Sequence, residues 1–200
     1  MKKLLVLALA LTFVFGFAPM VAARTAGPAY IWTQEYMDWN GQAVAEIDQN
    51  MNNFAHESSA LIEQFGYNYA GIGQHGRELE ATIDQHGYRN FVRISQGWNG
   101  IGNEANVTQA GGEFNRVRIK QRGEDNLINV SQDEFTERSY ALIYQQGEGN
   151  EILVNQFNGV GNHALVMQDN PGEGYTALAT IHQGNGNNND AEIMQNMTAF

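Results

Sequence analysis

The chain has no cysteine, so no disulfide holds it together and the fold must rest on packing and hydrogen bonds. Proline is nearly as scarce. Pro19, Pro28 and Pro171 are the whole supply, which leaves the body of the chain almost free of residues that block strand pairing. Basic residues are few, 11 Lys and Arg against 22 Asp and Glu. That balance excludes nucleic acid as a partner, because phosphates must be neutralised by Lys and Arg. Signatures of catalysis are missing too: there is no G-x-S-x-G turn and no grouping of Ser, His and Asp. Glycine-rich residues 71–76 lack the strand-to-helix context of a phosphate loop. Regular aspartates of the calcium-binding nonapeptide repeat are absent. His56, His163 and His182 have no neighbour at ligand spacing. His75 and His86 each follow a glutamine in successive segments and are expected on opposite walls, facing outward. No enzyme activity, cofactor or metal is expected.

Long apolar runs are also rare. The prominent one, Leu4 to Phe17, follows Met1-Lys2-Lys3 and precedes Val21-Ala22-Ala23. A basic start, an apolar stretch and a small-x-small site predict a secretory signal peptide over residues 1–23, cut near Ala23. The run falls short of the ~20 residues a membrane-spanning helix needs. Removing Lys2 and Lys3 with the leader sharpens the acidity of the mature chain.

What is abundant is a repeat. Thirteen glutamines can be laid on one ruler: Gln49, Gln64, Gln74, Gln85, Gln96, Gln109, Gln121, Gln132, Gln145, Gln156, Gln168, Gln183 and Gln195. Two residues before each stands Ile or Val without exception, for example Ile94, Ile119, Ile143 and Ile193. Four before stands Ala, Val or Ile. Six before, asparagine holds eight places: Asn68, Asn90, Asn103, Asn115, Asn126, Asn150, Asn162 and Asn189. Two after, glycine holds six: Gly66, Gly76, Gly87, Gly111, Gly123 and Gly147. Trp98, Glu134, Asn158, Asn170 and Asn185 depart from it.

A period of two is the period of a strand, so Asn, Ala, Ile and Gln share one face of each short arm. Spacing varies only between the glycine and asparagine places, in stretches rich in Gly, Asn and Pro, as turns do. The expected fold is all-β: a β-solenoid with two strands per coil, thirteen arms over residues 43–195, in cross-β stacking. Residues 24–42 are aromatic (Tyr30, Trp32, Tyr36, Trp39) and fit no arm; they would be an export signal or a cap. Residues 196–200 form a short tail. Identical inward residues, stacked roughly 4.8 Å apart, would form ladders along the axis. A buried amide left alone costs about 1–3 kcal/mol. Stacked on a copy of itself, it donates to one neighbour and accepts from the other. The glutamine and asparagine rows would therefore set register as well as add stability. The last arm, Asn189 to Gln195, has too little chain after it for a cap. Its open edge predicts head-to-tail, non-closing self-assembly.

These residues resemble the curlin repeat, Q-x-G-x-x-N-x-A-x-x-x-Q. Gln85, Gly87, Asn90 and Gln96 match it with Val92 in the alanine place; so do Gln121, Gly123, Asn126 and Gln132 with Ile128, and Gln145, Gly147, Asn150 and Gln156 with Ile152. The resemblance implies a secreted bacterial subunit of curli, the functional amyloid of biofilm matrix and surface adhesion. It also implies a partner curlin subunit, an outer-membrane export pore and accessory proteins that delay assembly. Irregular arms are closer to a minor, nucleating subunit; the complete last arm is closer to a major one.

The outward positions hold a second candidate. Arg116, Arg118 and Lys120, with Arg93 one coil away, form a basic stripe followed by Leu142, Tyr144, Leu165, Met167 and Met194. Such a stripe would dock a partner subunit, membrane or matrix polymer, or it would merely offset nearby acids. The competing function class is a monomeric solenoid that binds a polysaccharide or surface ligand. It lacks the threonine rows of an ice-binding face and the aromatic stripe of a sugar-binding one.

Overall fold

A computed structural model describes residues 20–24, 43–49, 58–133, 135–170 and 176–196. Most of the expected leader, the aromatic stretch 25–42, Glu134 and residues 197–200 lie outside the described residues. Every regular element among the described residues is a strand.

Two parallel sheets form the walls of a solenoid. The larger has eight strands in the order β1-β2-β4-β6-β8-β11-β14-β16. These are β1 (Met20–Arg24), β2 (Val44–Gln49), β4 (Tyr69–Arg77), β6 (Phe91–Ile101), β8 (Arg116–Glu124), β11 (Tyr140–Glu148), β14 (His163–Asn170) and β16 (Asp190–Asn196). The smaller has six in the order β3-β5-β7-β9-β12-β15: β3 (Ser59–Gln64), β5 (Glu80–Gln85), β7 (Glu104–Gln109), β9 (Leu127–Gln132), β12 (Glu151–Phe157) and β15 (Leu178–Gly184). Two-residue strands β10 (Thr136–Glu137) and β13 (Gly159–Val160) pair at one corner. From β2 onward the chain alternates between the walls, one strand on each per coil, and β16 adds a last half coil.

The register is the one set by the glutamines. Gln49, Gln74, Gln96, Gln121, Gln145, Gln168 and Gln195 stack in the larger sheet. The remaining six stack in the smaller. The β-branched row fills the space between the walls; Ile83, Ile94, Ile143, Val154 and Val166 have no exposed surface. Burying each such side chain contributes about 1.5–3 kcal/mol. One-residue slips are disfavoured because they would turn this whole row toward water.

Corners are tighter than sequence spacing suggests. The residue just before most places of the asparagine rows takes a left-handed backbone: Arg89, Phe114, Arg138, Gly161 and Asn188 at one corner, Glu78, Gly102, Asp125 and Gly149 at the other. The glycine places answer to a different constraint. Gly123 has φ +94°, and a Cβ there would run into the carbonyl oxygen of Gly147 in the next coil. Position in the coil, not count from the glutamine, decides which residue takes this role. Gly100, rather than Trp98, pairs with Gly76, because two residues are inserted after Gly97. Gly112, rather than Gly111, lies over Gly87. Thr136, Gly159 and Gly186 continue that column, in place of Glu134, Asn158 and Asn185.

Candidate functional site: the amide ladders and their ends

Each glutamine is placed by the isoleucine or valine two residues before it, which anchors the strand face inward. In the larger sheet Nε2 donates to Oε1 of the next coil at 2.6 Å (Gln49 to Gln74), 3.0 Å (Gln74 to Gln96), 2.9 Å (Gln96 to Gln121), 3.0 Å (Gln121 to Gln145), 3.1 Å (Gln145 to Gln168) and 2.8 Å (Gln168 to Gln195). In the smaller sheet Gln85, Gln109, Gln132 and Gln156 donate likewise, the last to Gln183, over 2.6–2.8 Å. The Gln64 amide lies 2.7 Å from Gln85 Oε1. Interior members are fully buried. Several also reach across the interior to backbone: Gln121 Nε2 donates to Glu104 O at 3.0 Å and to Asn126 O at 2.8 Å, and Gln74, Gln96 and Gln156 do likewise. Such an amide holds three groups together, its two row neighbours and the opposite wall.

The asparagine rows work at the corners. Oδ1 of each accepts the backbone N–H of the equivalent residue one coil on: Asn68 from Asn90, Asn90 from Asn115, Asn103 from Asn126 and Asn126 from Asn150. Side-chain nitrogens point the other way; Asn126 and Asn150 donate back to the preceding Oδ1 at 2.9 and 3.0 Å. The two kinds of ladder thus run in opposite directions along the axis.

Several members of these rows do not show in the glutamine-asparagine count. Ser58 Oγ accepts from Leu79 N–H at 3.0 Å, and the backbone N–H groups of Ser139 and Ala177 donate to Oδ1 of Asn115 and Asn150. The left-handed corner residues carry no shared side chain, so only the asparagine after them could have marked them.

Both ends of the glutamine row in the larger sheet differ from its middle. The row starts on an acceptor, Gln49 Oε1, and finishes on a donor, Gln195 Nε2, which reaches Leu178 O at 3.2 Å. Ile47, Ala191 and Ile193, at the two ends, are only partly buried against the core. At the N-terminal end β1 lies parallel on β2, Met20 opposite Val44 and Ala23 opposite Ile47.

The basic stripe also comes together. Arg93 pairs with Arg118, Arg118 with Leu142, and Leu142 with Leu165; Lys120 pairs with Tyr144, and Tyr144 with Met167. Arg116 and Arg118 hold their guanidinium carbons 5.5 and 5.6 Å from the Phe91 ring centre. His75 and His86 sit on opposite walls. His86 Nε2 lies 3.1 Å from Asp84 Oδ1 at the surface. No group of three metal-ligating side chains occurs among the described residues. No helix among them is long and apolar enough to cross a membrane.

Residues 76–111 match the family model of the curlin associated repeat. No curated protein and no solved structure matches the chain. The matched stretch runs from Gly76, near the end of β4, through β5, β6 and β7. It contains the Gln85, Gln96 and Gln109 rungs with Asn90 and Asn103.

Proposed function

We propose that the chain is a structural subunit of an extracellular curli-type amyloid fibre, extending head to tail by adding coils of one copy to coils of the next. The observation that carries this reading is the polarity of the glutamine row. It is an unbroken directional chain of hydrogen bonds from Gln49 to Gln195, an acceptor at one end and a donor at the other. A second copy's β2 laid on β16 continues both the amide row and the isoleucine row, and covers Ala191 and Ile193. Self-stacking of identical side chains is the same interaction that holds the interior, so no new chemistry is needed at the joint.

The leader directs secretion, and cutting near Ala23 removes all but Arg24 of β1 and opens the β2 edge. Residues 24–42 serve export or capping. In this reading the chain passes an outer-membrane export pore, is held back by accessory proteins and meets a partner curlin subunit in the biofilm matrix. The two-residue insertion after Gly97 shifts the corner pairing and the serine at position 139 interrupts one asparagine row, which fits a minor, nucleating role. The test is to incubate the purified mature chain and follow dye-reported growth with cross-β diffraction. Fibres with a spacing near 4.8 Å along the axis are expected. A lasting soluble monomer would sink the reading in favour of a solitary binding module. Preformed fragments added to the partner subunit should shorten its lag if this chain nucleates.

A further inference from the structure

The outward face of the larger sheet carries a groove of about 300 Å³ over β8, β11 and β14. One side is cationic: Arg93, Arg118 and Lys120. The other is apolar: Leu142, Leu165 and Met167, with Tyr144 between the two. This is an unusual surface for so acidic a chain. Arg93, Arg116, Arg118, Lys120 and Arg122 are five of its 11 basic residues, gathered on two neighbouring rungs. The two central outward columns hold no acid between Asp48 on β2 and Glu192 on β16. Charge balance within those columns therefore does not explain the cluster.

Four features make the groove more than a patch. The cations are held in place, Arg118 over Phe91 and Lys120 Nζ 5.6 Å from the Tyr144 ring centre. Arg118 Nε is buried and has no hydrogen-bond partner, which is costly for a charged donor. Burial, and then the Arg122 charge, lower the Lys120 pKa, so the cations already crowd one another. On the apolar side Leu142 is 36% and Met167 42% exposed, large for side chains whose neighbours are also apolar.

We propose that this groove binds a free amphiphilic anion, with its head at Arg93, Arg118 and Lys120 and an unbranched apolar tail along Leu142, Leu165 and Met167. An anionic head gives the guanidinium and ammonium groups charge-assisted hydrogen bonds. The tail covers the exposed leucine and methionine, and two rungs of the sheet give it a run of roughly 10 Å. Methionine suits an unbranched chain because its flexible thioether adapts to the body against it. Head and tail sites are adjacent rows of one sheet, so their spacing is set by the strand pairing. The groove lies within one copy, and the proposal stands whether or not the chain assembles.

Equilibrium dialysis of the mature chain against monomeric decanoate, below its micelle concentration, tests it. Saturable one-to-one binding is expected. Butyrate, with the head but little tail, and decyltrimethylammonium, with the tail but the opposite charge, should each bind at least tenfold more weakly. The pair Arg118→Gln and Lys120→Gln should weaken decanoate binding at least tenfold, and so should Leu165→Asn with Met167→Asn. Glu46→Gln with Asp48→Asn, on the same face but away from the groove, should leave it unchanged. Circular dichroism checks that each variant keeps its strands, and the ligand comparisons need no variant. Equal binding of butyrate and decanoate reduces the groove to a charge patch and overturns the proposal. Equal binding of the cationic amphiphile, or indifference to both groove variants, overturns it as well.

Discussion

Asn162 follows Ser139 in one asparagine row, and its side-chain nitrogen is buried with no hydrogen-bond partner. At Asn126, Asn150 and Asn189 this nitrogen donates back to the preceding Oδ1, while at Asn90 and Asn115 it donates to backbone carbonyls. Serine has no amide oxygen to offer, and the Ser139 hydroxyl instead reaches Glu137 O at 3.5 Å. Ser139→Asn should restore the rung. Satisfying a buried donor and adding one hydrogen bond should raise stability by about 1 kcal/mol. A higher urea midpoint with an unchanged slope is the expected result.

The interior and the ends of a glutamine row should respond differently to the same substitution. Gln121→Leu leaves Gln96 Nε2 short of its row acceptor and Gln145 Oε1 without its row donor, in a wholly buried setting. It also frees Glu104 O and Asn126 O. A loss of about 3 kcal/mol is expected from these buried unpaired groups. Gln49→Leu breaks the end link of the row, to Gln74, at a partly exposed rung, and should cost under about 1 kcal/mol. Urea unfolding of the two variants measures the contrast; equal losses would show that the row contributes by packing rather than by amide pairing.

Much of this was legible in the sequence because one side-chain type repeats at each inward place. Ile94, Ile119 and Ile143 fix face and register together, and all thirteen glutamines stack as their spacing predicts. The corners were less legible. Trp98 and Gly111 occupy the expected count from their glutamines, but Gly100 and Gly112 occupy the coil position. Counting along the chain cannot register an insertion that the next coil absorbs as a bulge. Left-handed residues as unlike as Phe114, Arg138 and Asp125 share only a backbone angle, so no composition marks them. The groove depends on residues three coils apart in the axial direction. The period of two already lines Arg93, Arg118 and Lys120 up with Leu142, Leu165 and Met167; the pairing of Arg118 with Leu142 and of Leu142 with Leu165 shows that they close into one groove.

Gly123→Ala should be strongly destabilising. The backbone there is in the left-handed region at φ +94°, which an L side chain rarely adopts, and the new Cβ would strike Gly147 O, part of the backbone of the next coil. Neither atom belongs to a flexible side chain. A cost of more than about 2 kcal/mol is expected, combining backbone strain with overpacking. Gly149→Ala offers a control: it shares a positive φ of +65°, but its Cβ would meet only Thr176 Cγ2, at 3.2 Å. Its loss should be smaller, and thermal unfolding of both variants ranks them.

Lys120 should titrate below the ordinary lysine range, chiefly through burial and secondly through Arg122. Arg122→Gln should raise its pKa without restoring it fully. The lowered value also has a sign for stability. Between the folded and unfolded pKa values the unfolded chain binds more protons at this site, so its contribution to stability improves as pH rises through that window. A decanoate head bound in the groove should move the Lys120 pKa upward by favouring the charged form. Side-chain nitrogen chemical shifts followed against pH, with and without decanoate, measure both displacements.

On the proposed function, an uncut leader should act on assembly as well. β1 occupies the edge of β2 across Met20–Arg24, so an uncut chain offers β16 for docking but keeps its β2 edge paired. An unpaired strand edge is the template for adding another chain, and covering it removes the template. Uncut chains should therefore join a fibre end through β16 and then stop its growth from that end. Adding a small fraction of uncut chain to growing mature fibres should slow elongation well beyond simple dilution. A chain starting at Arg24, added at the same fraction, should extend them normally. Equal elongation in the two mixtures would show that β1 leaves β2 readily and that the leader does not guard the edge.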